Sequence, residues 1–356
     1  MSGSRASREV RAGAPVEVRA GAPVEVRAGA NADVRLVPAR SLVIAPVDVV
    51  FRLRPGDRPL VAAGDSVVVG APVAERLRDA SLDEVRVPGV VEPEPGGRWS
   101  GPADGRDGRI EGGEFMFSWR SRWRVASGAL ADPLESPFAG IVREVHPGTS
   151  ITVRAAGRGL RGIVALGGPT RGRLRGSPDN ELRAGGLDVG SAGAILVVGS
   201  RVDAETLTRA RAMGIRGVVV TGLSSKERRD YLASEARQRS ALHRLPPFAV
   251  LVLDGAVRRP LAGAVLALLG SLAGHEVAIV ADPPMLVFDF PNLVVPTPPP
   301  DLVRVRGGMF AGREGRFMEA IGARRFGGGV HLESGLVQFA DGSSAAVPLG
   351  DLERFV

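Results

Sequence analysis

The chain has 356 residues, a formal charge of +7, 44% hydrophobic and only 4% aromatic residues, 48 glycines, 27 prolines and no cysteine. That length exceeds what one hydrophobic core usually holds and predicts two or three domains, rich in turns and strands rather than mainly helical. Without cysteine there is no disulfide, thiolate metal site or cysteine-ligated iron–sulfur cluster, and four scattered histidines, His146, His243, His275 and His331, argue against zinc, so neither metal nor cofactor is expected. The positive balance admits anionic partners. Lys226 is the only lysine, however, and genome composition explains an arginine excess as readily as binding does.

Met1 to Val10 carry charge but no apolar stretch of the signal-peptide kind. The longest apolar run, Leu261 to Ala273, is too short for a bilayer and reads as a buried helix. The expectation is a cytoplasmic protein with no integral membrane segment; its oligomeric state is not set by the sequence. Glu9 to Val16 and Glu17 to Val24 are the identical octet EVRAGAPV, and Glu25 to Ala32 varies it. Eight residues are fewer than a solenoid unit normally needs, so residues 1–36 are read as a flexible, repeat-containing arm.

A first globular region spans 37–185. Leu42-Val43-Ile44, Leu60-Val61, Val67-Val68-Val69 and Pro72-Val73-Ala74-Glu75 are short strand candidates separated by Gly64-Asp65 and Gly70, and Ser136 to Val145 supplies a turn and an outgoing strand far downstream. Together the two halves resemble a biotinyl-lipoyl-like barrel-sandwich hybrid, the fold also found in RnfC-type electron-transport subunits. No lysine stands between them, so covalent biotin or lipoate is excluded, and the cluster-binding cysteines of the RnfC-type subunits are absent, so redox work is not supported.

The halves are separated by an insertion, 76–135, that holds Trp99, Phe115, Phe117, Trp119 and Trp123. The alternation of Phe115, Phe117 and Trp119 followed by Arg120, Arg122 and Arg124 reads as a hairpin whose aromatics pack on the β domain, or else as an aromatic and basic surface for RNA. Between Arg154 and Arg183 lie seven arginines against Asp179 and Glu181, either an anion-binding loop or solvated strands such as Gly162 to Leu166.

From 186 to 290 the pattern changes to continuous apolar strands, Ala194–Gly199, Gly217–Thr221 and Ala249–Leu253, alternating with helical stretches. Asp203 can cap Ala204 to Met213, and Ser224 or Ser225 can cap Lys226 to Arg239; a third helix is expected over Leu261 to Leu272, before a strand at Val277 to Val280. Strands buried on both faces and alternating with helices predict a parallel α/β sheet. Ligands of such sheets sit at the carboxyl ends of the strands, which makes Thr221, Gly222, Ser224, Ser225 and Lys226 a candidate anion site; the alternative is a capped helix without a ligand. Residues 291–300, with Pro296 and Pro298 to Pro300, read as a stiff linker.

The last stretch, 301–356, carries the strongest functional signal. Val303-Arg304-Val305-Arg306 alternates as a half-buried strand with its arginines outward, and Gly307, Gly308, Gly312 and Gly315 suit tight turns and close backbone approach. Further strands are expected at Phe317–Ile321, Val330–Glu333, Leu336–Phe339 and, after an Asp341-Gly342 turn, Ser343–Leu349. The order of valines, arginines, glycines and Phe310 resembles the KOW motif of the transcription elongation factor NusG and of several large-subunit ribosomal proteins.

The resemblance implies an SH3-like barrel whose loops touch RNA, the ribosome or RNA polymerase, with Arg304, Arg306, Phe310, Arg313, Arg316, Arg324 and Arg325 as candidate contacts. Phe310 and Phe326 would stack bases if exposed; as isolated aromatics in a small barrel they are read as core. The fold class expected is multi-domain α+β and α/β, and the function a non-enzymatic binding or scaffold protein acting in transcription or on the ribosome. Two other readings stand beside it: a protein-interaction subunit of a metabolic or membrane-associated complex, RnfC-like without redox centres, or an enzyme with a phosphate-ligand site in the α/β domain.

Overall fold

A computed structural model describes residues 33–53, 57–78, 81–84, 115–119, 122–127, 130–176, 187–200, 202–241, 245–257 and 259–356. The octet repeats, Trp99 and Arg183 lie outside them. The protein is a mostly β, multi-domain α+β structure, with five sheets and three α-helices among the described residues, α1 (Ala204–Ala212), α2 (Ser225–Ala241) and α3 (Gly263–Ser271). Among the described residues no helix is long and apolar enough to cross a membrane.

The two halves of the first β region do meet. Strands Val47–Arg52, Ser150–Ala155, Gly140–His146 and Ser66–Val67 form one antiparallel sheet, in which Ser66-Val67 pairs with Gly140-Ile141. The turns do the joining: Gly70 N–H donates to Ser136 O and Val142 N–H donates to Asp65 O. A Cβ on Gly140 would stand 2.2 Å from the Arg154 carbonyl oxygen, so only glycine lets this strand approach its neighbour. Val49, Phe51, Val67, Val73, Phe138, Ile151 and Val153 fill the core between this sheet and a second ribbon. That ribbon pairs Pro72–Arg78 with Leu130–Glu135, so the insertion leaves and returns along two hydrogen-bonded strands. Farther out, Phe115–Trp119 and Arg122–Ser127 form the expected hairpin, joined by Ser81–Glu84 into three strands; the packing of its aromatic side chains lies outside the described residues.

The α/β sheet is larger than its sequence pattern and not wholly parallel. Four strands, Thr170–Gly176, Ala194–Val198, Gly217–Val220 and Ala249–Val252, run parallel and in sequential order. Antiparallel strands Val164–Gly167, Glu276–Ala281, Pro284–Phe288 and Arg158–Arg161 extend it to eight. One domain boundary therefore moves. Residues 158–176 of the arginine-rich stretch belong to this sheet, the alternating arginines of Thr170–Gly176 pointing outward, where Arg171 pairs with Glu276 and Arg175 donates to Gly190 O; Arg154 stays in the first β region, paired with Asp48 on the adjacent strand. Pro284 opens a strand that the sequence pattern did not show, at a position where the missing N–H costs no ladder bond.

Each face of the parallel strands has its own core. Leu196, Val198, Val218, Val220 and Val250 pack with Leu207 and Ala210 of α1 and Tyr231 of α2. On the other face Ile195, Val197, Val219 and Leu251 pack with Val265, Leu268 and Leu269 of α3. The hairpin 276–288 joins two domains through its strand period of two: Val277, Ile279, Leu286 and Phe288 enter the α/β core, while Ala278, Val280, Met285 and Val287 enter the core of the first β region. The proline-rich stretch is not a free spacer either, since Leu293 is buried in the α/β core and Val295 packs against it.

The C-terminal module is a six-stranded sheet. In spatial order its strands are Ala39–Arg40, Leu352–Phe355, Leu302–Val305, Glu314–Arg325, His331–Phe339 and Ser344–Pro348. The last strand of the chain thus folds back beside the module's first, after a single 3-10 turn at Leu349–Asp351. Two strands expected at 330–333 and 336–339 are one, and the strand 352–355 was not foreseen. Its first residue, Leu352, joins Val303, Val305, Phe317, Val337, Phe339 and Val347 in the core. Val34 and Val37 complete that core and Ala39-Arg40 pairs in parallel with Arg354-Phe355, so residues 34–40 belong to this module, rather than 34–36 to a flexible arm and 37–40 to the first β region.

Candidate functional site

The module is anchored to the carboxyl ends of the parallel strands, and the anchor is Arg304. Strand 302–305 has the module core on one side, and its other side faces the α/β domain. Arg304, expected outward, is 2% exposed. Its Nη1 donates to Asp254 Oδ2 at 2.7 Å and to Glu353 Oε1 at 3.0 Å, and its Nη2 donates to the Pro260 carbonyl at 2.6 Å. Arg40 donates to the other Asp254 oxygen at 3.1 Å. Arg304 is therefore a buried tie between domains and is withdrawn from the RNA-contact set.

Two further contacts fix the docking. Helix α3 has no side-chain cap of its own, and Glu314 Oε1 accepts from the Gly263 N–H at 2.7 Å, placing a carboxylate at the positive end of the helix. The Gly312 turn, at φ +90°, lies against Pro260 so closely that a Cβ would stand 2.8 Å from its ring. Gly307 and Gly315 are likewise places of close approach, against Asp351 and the Gln338 carbonyl, and Gly308 takes a positive φ.

The other predicted contact residues separate into two groups. Arg306, half exposed, lies 3.7 Å from Glu353; Arg313 pairs with Asp341 at 2.6 Å and lies over the Phe339 ring; Arg316, though 71% exposed, pairs with Asp301 at 2.8 Å. Phe310 packs against Phe339, with ring centroids 5.2 Å apart, as part of the core edge. Arg324 and Arg325 differ: both are exposed and neither forms an ion pair among the described residues.

Those two arginines stand at the end of the longest hairpin among the described residues. Strand 314–325 pairs with 331–339 from Gly315↔Phe339 out to Arg325↔His331, closing through the Gly327–Gly329 turn. Successive residues of a strand point to opposite faces, so Arg324 shares one face with its cross-strand partner Leu332 and Arg325 shares the other with His331. Leu332, His331 and Val330 are exposed as well. The hairpin root is held by Phe317 against Gly335 and by the docked strands, so this tip projects two unpaired guanidinium groups from a fixed base.

The anion site expected at Thr221 to Lys226 is occupied by the chain itself. Ser224 Oγ accepts from Glu227 N–H at 3.2 Å as the cap of α2, and Lys226 Nζ donates to Asp230 one turn on, at 2.9 Å. Gly222 is pressed on the Val257 carbonyl, and Ser225 begins the helix. The helix-cap alternative describes this loop. Asp254 is recognisable from the sequence as a strand end, but its role is not, because it depends on side chains brought from residues 40, 304 and 353.

Removing Arg304 leaves Asp254 and Glu353 buried with one cation fewer, so Arg304→Ala is expected to cost about 3–5 kcal/mol, whereas Arg316→Ala, breaking an exposed pair, costs at most about 1 kcal/mol. Urea unfolding of both variants measures this; equal losses would contradict the anchor. The Asp341 carboxyl is lowered to about 2 by the Ser343 side chain and backbone N–H, then by Arg313. A lowered folded-state value means stability present above the ordinary carboxyl range and lost as pH falls toward 2. Thermal melts of wild type and Asp341→Asn should therefore differ at pH 6 and converge near pH 2.

A scan against protein-family models finds no match for the chain, and comparisons with curated proteins and with solved structures find none either.

Proposed function

We propose that the chain is a non-enzymatic binding protein whose C-terminal module contacts RNA, free or within a ribosomal or transcription assembly, through the tip of the hairpin 314–339. The observation that carries this reading is the pair Arg324 and Arg325, exposed and without acidic partners on opposite faces of a projecting two-stranded element. Such a tip can neutralise phosphates on either side of it, as a finger lying along a nucleic-acid strand requires. The glycine turn Gly327–Gly329 leaves room for a backbone to approach.

An SH3-like, KOW-type module is the fold that suits the reading. Its support is the return of strand 352–355 to the side of strand 302–305 and the placing of the four motif glycines at turns or close approaches. The arginines of strand 302–305 take no part, since that side of the module is docked. Protein contact by the insertion hairpin 115–127 remains compatible with such an adaptor, but the unpaired arginines favour a polyanion.

Binding of a structured ribosomal RNA fragment, measured against salt, tests the proposal. Replacing both Arg324 and Arg325 by Ala is expected to weaken binding at low salt and to reduce the slope of log K against log salt by about 1.4 for single strands or about 1.8 for a duplex. Affinity and slope equal to those of the wild type would remove the tip from any RNA interface.

A further inference from the structure

Beside the Arg304 anchor lies a cation with no such compensation. Arg259, in the segment between the strand 249–252 and helix α3, is 7% exposed, and its Nε and Nη1 have no hydrogen-bond partner among the described residues. It forms no ion pair among the described residues. The Nε of Arg304 also lacks a partner. The acids in this neighbourhood are already engaged: Asp254 by Arg40 and Arg304, Glu353 by Arg304 with Arg40 and Arg306 farther off. Asp351 lies against Gly307 and its carbonyl accepts from the Arg306 N–H, but its carboxylate forms no ion pair with these arginines among the described residues.

Four arginines, Arg40, Arg259, Arg304 and Arg306, thus stand against two buried carboxylates. Burial pulls the Arg259 guanidinium below the ordinary arginine range; Asp254 and Glu353 pull it up, and Arg304 and Arg306 push it down again. A guanidinium does not resolve that conflict by losing its proton at any physiological pH. A buried, unpaired cation is strongly unfavourable, whereas one matched by an oxyanion with charge-assisted hydrogen bonds is not. The location agrees, because the cluster sits at the carboxyl ends of the parallel strands, where α/β sheets hold their ligands.

We propose that Arg259, with Arg304 and Arg306, forms a binding site for a small oxyanion of the phosphate class at the junction of the α/β sheet and the C-terminal module. Half-exposed Arg306 gives the site its opening to solvent. Arg259 comes from one domain and Arg304 and Arg306 from the other, so the site exists only when the module is docked, and occupancy stabilises the docked state. This inference is independent of the RNA reading, since Arg324 and Arg325 lie at the far end of the hairpin.

The test is thermal unfolding and isothermal titration calorimetry of the full chain with inorganic phosphate, against sodium chloride at matched ionic strength. The wild type is expected to melt higher with each tenfold rise in phosphate and to titrate with about one site per chain. Arg259→Met, which removes the charge and keeps an apolar stem, should lose the phosphate-dependent shift and melt no lower than the wild type in chloride. Arg306→Gln, a change at a half-exposed position, is a second variant should Arg259→Met fail to fold, and should weaken phosphate binding at least tenfold. Phosphate released as a separate group or carried on a mononucleotide is told apart by repeating the titration with adenosine monophosphate. Absence of a phosphate response in the wild type, or equal responses in wild type and Arg306→Gln, overturns the site.

Discussion

A single buried guanidinium ties the C-terminal module to the α/β sheet. Arg304 reaches across from a strand of the terminal module to Asp254 at the end of a parallel strand, while Glu353 from the neighbouring strand and Arg40 from the N-terminal segment close the ring. Arg304, Asp254 and Glu353 are nearly removed from water and Arg40 is partly buried, so the attraction among the first three is strong and the loss of any one of them leaves a stranded charge. Because the four residues come from three distant parts of the chain, the ring forms only when the β-module, the α/β sheet and residues 34–40 are all in position. It acts as a register pin more than as a source of net stability.

The cores around it follow the same logic of shared elements. The hairpin 276–288 gives one face to the α/β core and the other to the first β region, so those two domains cannot separate without exposing an apolar strand face. Phe355, at the end of the module's last strand, lies in the α/β core, and Glu314 caps a helix of that domain. The module is therefore fixed on one side and open on the other. This division decides which arginines are structural and which face solvent, and so where a partner can approach.

Much of the α/β region was legible because its signals are local: apolar runs of four or five residues for the strands, Asp203 and Ser224 as caps for α1 and α2. The turns of the terminal module were legible from their glycines and from Asp341-Gly342. Strand 284–288 was hidden by its leading proline, and strand 352–355 by Glu353 and Arg354, which read as surface residues. Glu353 is buried because Arg304 stands opposite it in the sheet, and Arg304 is buried because Asp254 waits in another domain; an alternating pattern within one strand carries no trace of either. Arg324 and Arg325 were legible only as members of a set of seven, and the long hairpin that singles them out needed the continuous pairing from Gly315 to Arg325.

The central claim is that the terminal module and the α/β sheet form one cooperative unit locked through Arg304. Native-state hydrogen exchange of the full chain tests it most directly, by comparing the amides of Val305, Arg306 and Leu42, bonded respectively to Arg313, Asp351 and Val356, with those of Ala249 and Leu253 in the sheet. The account predicts that both sets open with the same free energy. Terminal-module amides that exchange through a separate opening, several kcal/mol cheaper than that of the sheet, would contradict it.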